Sequence, residues 1–302
     1  MKLVSEIVKQ PSPPKSQLLS EAENAIKIKY PNATLPAAED IKEQRQWDSV
    51  ICQEEFNALK NNSNQIHCAR LLAAASPHSG AWIQALPSSN LGLHLDGEST
   101  RIAVALRLGA PVCEPHKCRC GKQVNSLGHH GLSCSKSAGR LPRHSNLNDI
   151  IKRSLSAAGI PSWLEPVGLD KKDQRRPDGI TVFPFSGGKS LCWDATCRDT
   201  FAKTAVAESA IRPGSAAEKA EESKVNFYRE LQNRYRFEPL AVETTGVIGK
   251  SSNKFISEIG KRISQISGDQ RETAWLRQRI SIAVVRGNAS SILATSSSSS
   301  LN

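Results

Sequence analysis

Apolar residues along this chain change rhythm near residue 160. From about 40 to 110 they recur at helical spacing, as in the stripe Ile66, Ala69, Leu71, Leu72 and Ala75. Trp82, Ile83 and Leu86 follow a Ser-Pro-His-Ser-Gly loop. Thr100 reads as the cap of a helix carrying Ile102, Ala105, Leu106 and Leu108, stopped by Gly109 and Pro111. A helix over 144–158 follows, with Leu147, Ile150, Ile151, Leu155 and Ala158 on one face and His144, Asn148 and Lys152 on another. After Gly159 and Pro161 the runs become short and extended: 163–169, which contains Glu165, then 180–183 and 191–193. Ser215-Ala-Ala-Glu218 has the form of a capping box opening a helix to about 233. Its apolar face (Ala217, Ala220, Phe227, Tyr228, Leu231) also carries Lys224. A strand over 237–247 and helices over 255–266 and 270–286, parted by Gly268, complete the pattern. From 144 to 247 the predicted order is helix, three strands, helix, strand: an α/β core.

The two middle strands flank Gly187 and Gly188 and read as a hairpin, with Asp178 just before the first and Asp194 inside the second. A turn centred on Gly187 pairs Ile180 with Asp194 and Asp178 with Thr196. The two aspartates are then diagonal neighbours, roughly 7–8 Å apart at the backbone. That suits two carboxylates sharing a hard divalent cation. Lys224, on the inner stripe of the next helix, either holds a buried partner or snorkels at the stripe's edge.

Residues 113–134 differ from everything around them, with four cysteines and three histidines in a short loop-like stretch. Cys118, Cys120, His130 and Cys134 form two close pairs flanking a Gly-containing loop, the ligand set of a closed, structural zinc site. Cys113 or His116 is an alternative to Cys118, and His129 to His130. The chain has 302 residues and a formal charge of +11, which points to a polyanion such as nucleic acid. The basic loop Lys-Lys-Asp-Gln-Arg-Arg ahead of Asp178 ends in Arg175 and Arg176, suited to phosphate contact. No apolar run approaches the roughly 18 residues of a membrane span. The N-terminus lacks the apolar run of a secretory signal, so an intracellular, reducing environment is expected.

The stretches ARLLAAASPHSGAW, LRLGAPVC, HGLSC, RHSNLNDII, EPVGL, RRPDG, LCWDATCRDT and GDQRETA resemble the C-terminal part of non-LTR retrotransposon polyproteins. There a zinc knuckle precedes a restriction-like endonuclease of the PD-(D/E)xK superfamily. The resemblance spans about three quarters of the chain, from about 66 to 290. It implies a restriction-endonuclease-like αβββαβ core with a helical N-terminal segment and a small zinc knuckle. The expected division is linker 1–39, helical segment 40–112, CCHC knuckle 113–139, nuclease 140–290 and unstructured Ser-rich tail 291–302.

The same resemblance implies that Asp178 and Asp194 bind Mg²⁺ (or Mn²⁺), with Glu165 joining the shell. The family's D-x-K ending reads Asp194-Ala195-Thr196 here, so the lysine falls to the following helix: Lys224, with Lys219 in reserve. Arg143 and His144 match an Arg/Lys-His motif assigned to the DNA backbone, with Lys152, Arg175 and Arg176 beside them in that role. Cys118, Cys120, His130 and Cys134 match the knuckle. The implied activity is nicking of target DNA to prime reverse transcription, in the nucleus, with DNA and the element's RNA as partners. No Asp-Asp dipeptide occurs, so the polymerase core is expected to be absent and the chain to be a shortened copy. The competing expectation is a decayed or domesticated nucleic-acid-binding knuckle protein without turnover. An RNase H-like nuclease would need three or four clustered acids and no lysine.

Overall fold

The computed structural model describes residues 17–36, 44–169 and 176–296. Contacts divide the chain into two units, Met1–Asn64 and Gln65–Asn302. In the first, helices α1 (Gln17–Lys29) and α2 (Gln44–Asn61) are joined by the Tyr30 hydroxyl, which donates to Glu55 at 2.5 Å. A helix thus lies inside the stretch expected as linker.

The second unit is mixed α/β. It opens with α3 (Gln65–Ala75), a 3₁₀ turn (Ala81–Gln84) and α4 (Gly97–Leu108). Asp96, not Thr100, caps α4, accepting from the Ser99 amide at 2.8 Å. A two-stranded ribbon (β1, His116–Lys117; β2, Gln123–Val124) leads to the short α5 (His129–Ser133) and the long α6 (Arg140–Ala157). Then come β3 (Ser162–Leu164), β4 (Gly179–Thr181), β5 (Leu191–Arg198), α7 (Val206–Ser209), α8 (Ser215–Phe227) and β6 (Arg236–Glu243). Two helices close the unit, α9 (Lys250–Ser267) and α10 (Glu272–Leu293). The reading of 291–302 as unstructured tail is corrected in part: Ser291 and Ile292 are buried in α10. Residues 297–302 lie outside the described residues, as do 1–16.

The sheet runs β3-β4-β5-β6, antiparallel except for the parallel β5–β6 pair. A parallel pair needs a long crossover, and α8 provides it. Alternation along β5 splits its side chains. Leu191, Trp193 and Ala195 meet Leu147, Ile151 and Leu155 of α6, Phe255 and Ile259 of α9, and Leu276 and Ile280 of α10. Cys192 faces the other way, into a smaller cluster with Tyr228, Leu231 and Phe237. Gly179 is obligatory opposite Trp193, because a Cβ there would lie 2.1 Å from the indole ring.

The hairpin register differs from the expected one. Ser186 and Lys189 bridge around Gly187 and Gly188, whose φ angles of 57° and 73° suit a two-residue turn. The ladder then pairs Ile180 with Cys192 and Gly179 with Trp193. Pro184 offers no N–H to a ladder, and residues 182–184 bulge outward. Thr181 fills the gap: its hydroxyl accepts from the Leu191 amide at 2.9 Å and donates to the Phe183 carbonyl at 2.7 Å. The pairing shifts by two residues, so parity survives, and continuing the ladder sets Asp178 opposite Asp194.

The capping box at α8 does not form. Glu218 instead pairs with Arg212 and with Lys250. The N-terminal amides of Ala216 and Ala217 donate to Glu243 Oε1 at 3.0 and 3.3 Å, from the end of β6. Buried Glu221 does the same for α9, accepting from the Ser252 amide and hydroxyl at 2.8 and 2.6 Å. Glu243→Ala should therefore cost about 2 kcal/mol, having orphaned buried donors, and Glu218→Ala less than about 1 kcal/mol. Urea denaturation of both variants checks this; equal costs would restore the local capping box.

Candidate functional site

Asp178 and Asp194 meet where β4 begins beside the middle of β5. Backbone pairing continues past the strand end, with the Asp178 amide donating to the Trp193 carbonyl at 2.9 Å. Asp178 Oδ2 accepts from the Ala195 amide at 2.7 Å, and Oδ1 lies 3.1 Å from His144 Nε2 on α6. Asn148, one turn along α6, packs behind this contact. Its Oδ1 accepts from the Trp193 indole at 3.1 Å. An indole nitrogen only donates, so this bond fixes the amide orientation and turns Nδ2 toward His144, 3.2 Å away.

Asp194 is served from the opposite side by α8 and the turn after it. The buried Tyr228 hydroxyl donates to Asp194 Oδ2 at 2.8 Å and lies 2.9 Å from the Arg176 carbonyl. The Lys224 ammonium stands 2.6 Å from Asp194 Oδ1. That contact is an ion pair rather than an aligned hydrogen bond, because Oδ1 is fully buried yet has no donor in hydrogen-bond geometry. Lys224 is one-third exposed, so its head reaches solvent as well.

These surroundings push the two acids apart. Burial and the charge of Asp178 raise the Asp194 pKa, against the opposing pull of Lys224 and Tyr228. Burial acts upward on Asp178 too, but His144 and the Ala195 amide outweigh it and the net shift is downward. His144 is raised, chiefly by its hydrogen bond to Asp178. Tyr228 is raised by burial and by Asp194, so it stays a neutral donor. Divergent acids beside a histidine and a lysine are a pattern found at functional sites.

Other expected site residues lie elsewhere. Glu165, at a positive φ of 51°, pairs with Arg176 and faces solvent. Its carboxylate contacts neither aspartate, which removes the ground for placing it in their shell. Arg143 is 3% exposed, and its guanidinium donates to Asn288 Oδ1 at 2.7 Å and to the Leu132 carbonyl at 3.3 Å. Little of it is exposed, and its main partners are protein groups, although it also lines two clefts. His144 sits on Asp178 and also lines one of the clefts. Lys219 pairs with Glu208, while Lys152 is exposed on α6. Arg175 lies outside the described residues. These adjoining clefts, of about 340 and 390 Å³, share Arg140, Arg143, Thr196 and Cys197 in their walls. One reaches Arg198, Lys219 and Lys224, the other His144.

The Cys/His stretch converges as its spacing suggested. One ligand atom from each of Cys118, Cys120, His130 and Cys134 lies within 4.8 Å of the other three, a set that could hold a metal such as zinc. Cys118 Sγ is 3.8 Å from Cys134 Sγ, and Cys120 Sγ is 3.1 Å from His130 Nε2. The alternatives are engaged elsewhere. The Cys113 thiol points at the Asn125 carbonyl, 3.5 Å away. His116 is held between the Glu114 carbonyl and the Thr295 hydroxyl at 2.7 and 2.9 Å. His129 stacks on Phe201 at 4.1 Å, and burial pushes its pKa down to about 4.

Among the described residues no helix is long and apolar enough to cross a membrane. No protein-family model matches the chain, and no curated protein matches it.

Protein purified without chelators should carry about one zinc per chain by atomic absorption. Cys134→Ser should lower the affinity for zinc by roughly tenfold or more. Cys113→Ser and His129→Ala should leave metal content unchanged. Zinc retained by the Cys134 variant and lost from the Cys113 variant would reassign the ligands.

Proposed function

We propose that this chain is a metal-dependent DNA endonuclease of the restriction-like PD-(D/E)xK type, derived from a non-LTR retrotransposon, that nicks target DNA to prime reverse transcription. The observation that carries the reading is the convergence of Asp178, Asp194 and Lys224 from three separate segments, with Lys224 reaching the wall of a basic cleft. The αβββαβ order and the parallel last strand support the same class.

The donor set fits a hard divalent cation. Both aspartates offer carboxylate oxygens there, and the buried Asp194 Oδ1 has only the Lys224 ammonium against it. Asp178 and Asp194 would hold Mg²⁺ or Mn²⁺. When bound, such an ion supplies positive charge to the scissile phosphate and activates water. The chain's own residues do the rest. Lys224 carries an ammonium from the carboxylate to the cleft wall, where it stabilises negative charge developing on phosphorus-bound oxygens. Tyr228 and the Ala195 amide hold the two carboxylates in fixed orientation, and His144 balances the charge of Asp178. Arg140, Arg198 and Lys219 line the clefts where a phosphate backbone would run.

A second reading is a nucleic-acid binder without turnover. It is favoured by the fact that both carboxylates already have protein partners, so the site is satisfied without an ion. Nicking of supercoiled plasmid in Mg²⁺ separates the two. The wild type should nick, Asp178→Ala should lose roughly 10³-fold and Lys224→Ala roughly 10²-fold. Nicking that survives Asp178→Ala overturns the assignment. DNA retention without nicking by the wild type favours the binder, and a harmless Lys224→Ala favours an RNase H-like site.

A further inference from the structure

His144 reaches Asp178 from the first turn of α6, and that turn has no side-chain cap of its own. What holds it is Arg143, the residue before. The buried guanidinium clamps Asn288 of α10 on one side and the Leu132 carbonyl of α5 on the other. Asn288 in turn donates to the Thr244 carbonyl at 2.7 Å, just past β6. Leu132 stands two positions from His130 and two from Cys134, both members of the Cys/His centre. The backbones here are in direct contact. A Cβ on Gly139 would lie 2.5 Å from the Gly287 carbonyl, and one on Gly287 would lie 2.7 Å from the Cβ of Arg143. No slack remains in which the start of α6 could shift independently.

We infer that the Cys118/Cys120/His130/Cys134 centre positions the acid pair: with metal in the centre, the Leu132 carbonyl is fixed, Arg143 locks the first turn of α6 against it, and His144 is thereby set on Asp178. Arg143 is a positioning residue, touching neither carboxylate. The coupling stands on the contacts above. Its consequence for catalysis rests on the nuclease reading. Opening the centre loosens the segment that carries Leu132, whose neighbours His130 and Cys134 lose their shared tether. A buried guanidinium that loses its carbonyl acceptor must find another, and the turn carrying His144 moves with it.

The test uses the full chain loaded with zinc and free of other divalent ions. Two readouts are followed: the ring nitrogen signals of His144 by NMR, and hydrogen exchange of the Ala195 amide, which donates to Asp178. Stripping zinc from the wild type should shift the His144 signals and speed Ala195 exchange by roughly tenfold or more, while the Leu191 and Leu240 amides keep their protection. Arg143→Met should reproduce both changes with zinc still bound, and Arg143→Lys, which keeps a donor, should restore them in part. Cys113→Ser should change neither. The wild-type arm needs no variant to fold. Unchanged His144 and Ala195 signals on zinc removal would overturn the coupling. So would uniform loss of protection across the sheet, because the centre would then support the whole fold and not the setting of α6. None of these readouts requires DNA cleavage, so a chain that cuts nothing fails the nuclease reading alone.

Discussion

Two carboxylates placed opposite one another on adjacent strands, and buried there, repel each other and lose hydration at once. Such a pair persists only if donors or cations reach both, and here each aspartate has its own partner. His144 comes to Asp178 on α6, whose apolar stripe packs against Leu191 and Trp193. Lys224 comes to Asp194 on α8, from the face that holds Tyr228. The site is therefore a charge sandwich through the sheet, and its balance constrains where both helices lie. The two halves are unequal. Asp178 accepts a backbone amide and an imidazole and is held low; Asp194 is more deeply buried and is held high. The Asp194 side is where added positive charge would relieve the most, which is why Lys224 and a divalent ion compete for it in the proposed chemistry.

Keeping Lys224 at that point depends on two acids with no part in the chemistry. Glu243 meets the first amides of α8, and Glu221, one turn before Lys224, meets the first amides of α9. Negative charge at a helix N-terminus is favoured by the exposed amides and by the helix dipole together. Because each carboxylate lies on a different element from the helix it caps, capping here is also tertiary docking. Strand β6, α8 and α9 are tied in sequence, and Gly249 makes room for Glu221, since a Cβ there would fall 2.2 Å from its oxygen.

Much of this was legible in the chain before any coordinates. The periodicities placed the helices and strands from 144 to 247 in order. Lys224 on an apolar stripe read as either a charge with a buried partner or one snorkelling at the edge, and it does both, pairing with Asp194 while one-third exposed. The density of Cys and His marked a ligand set. The illegible parts share a cause: they depend on contacts distant in sequence. Ser215 and Glu218 fit a local capping motif, but Glu243, 27 positions on from Ala216, arrives at those amides instead. The hairpin register turned on Pro184 and the Thr181 hydroxyl, a detail that a period of two does not encode. Arg143 and His144 looked like one motif, yet neighbouring positions on a helix point about 100° apart. One is therefore sealed against α10 and the other is turned to Asp178. Tyr228 read as core, which it is, and nothing local announced that its hydroxyl would end on Asp194.

The Cys/His stretch is set off from its neighbours by composition but not by packing. Composition changes abruptly at 113 and again near 139, and such a change invites division into a module and its neighbours. The packing runs across both limits. Leu132 of that stretch shares an apolar cluster with Ile102 of α4 and with Ala289 and Ile292 of α10. Composition reports where a different chemistry is needed, here thiols and imidazoles gathered in a loop too small to bury a core of its own. It carries no information about mechanical independence, which depends on whether the surrounding helices close over the loop. In this chain they do, through glycines that bring α5 and α6 onto α10 at backbone distance. A ligand cluster that stands apart in composition is for that reason an integral part of the unit that carries the acid pair.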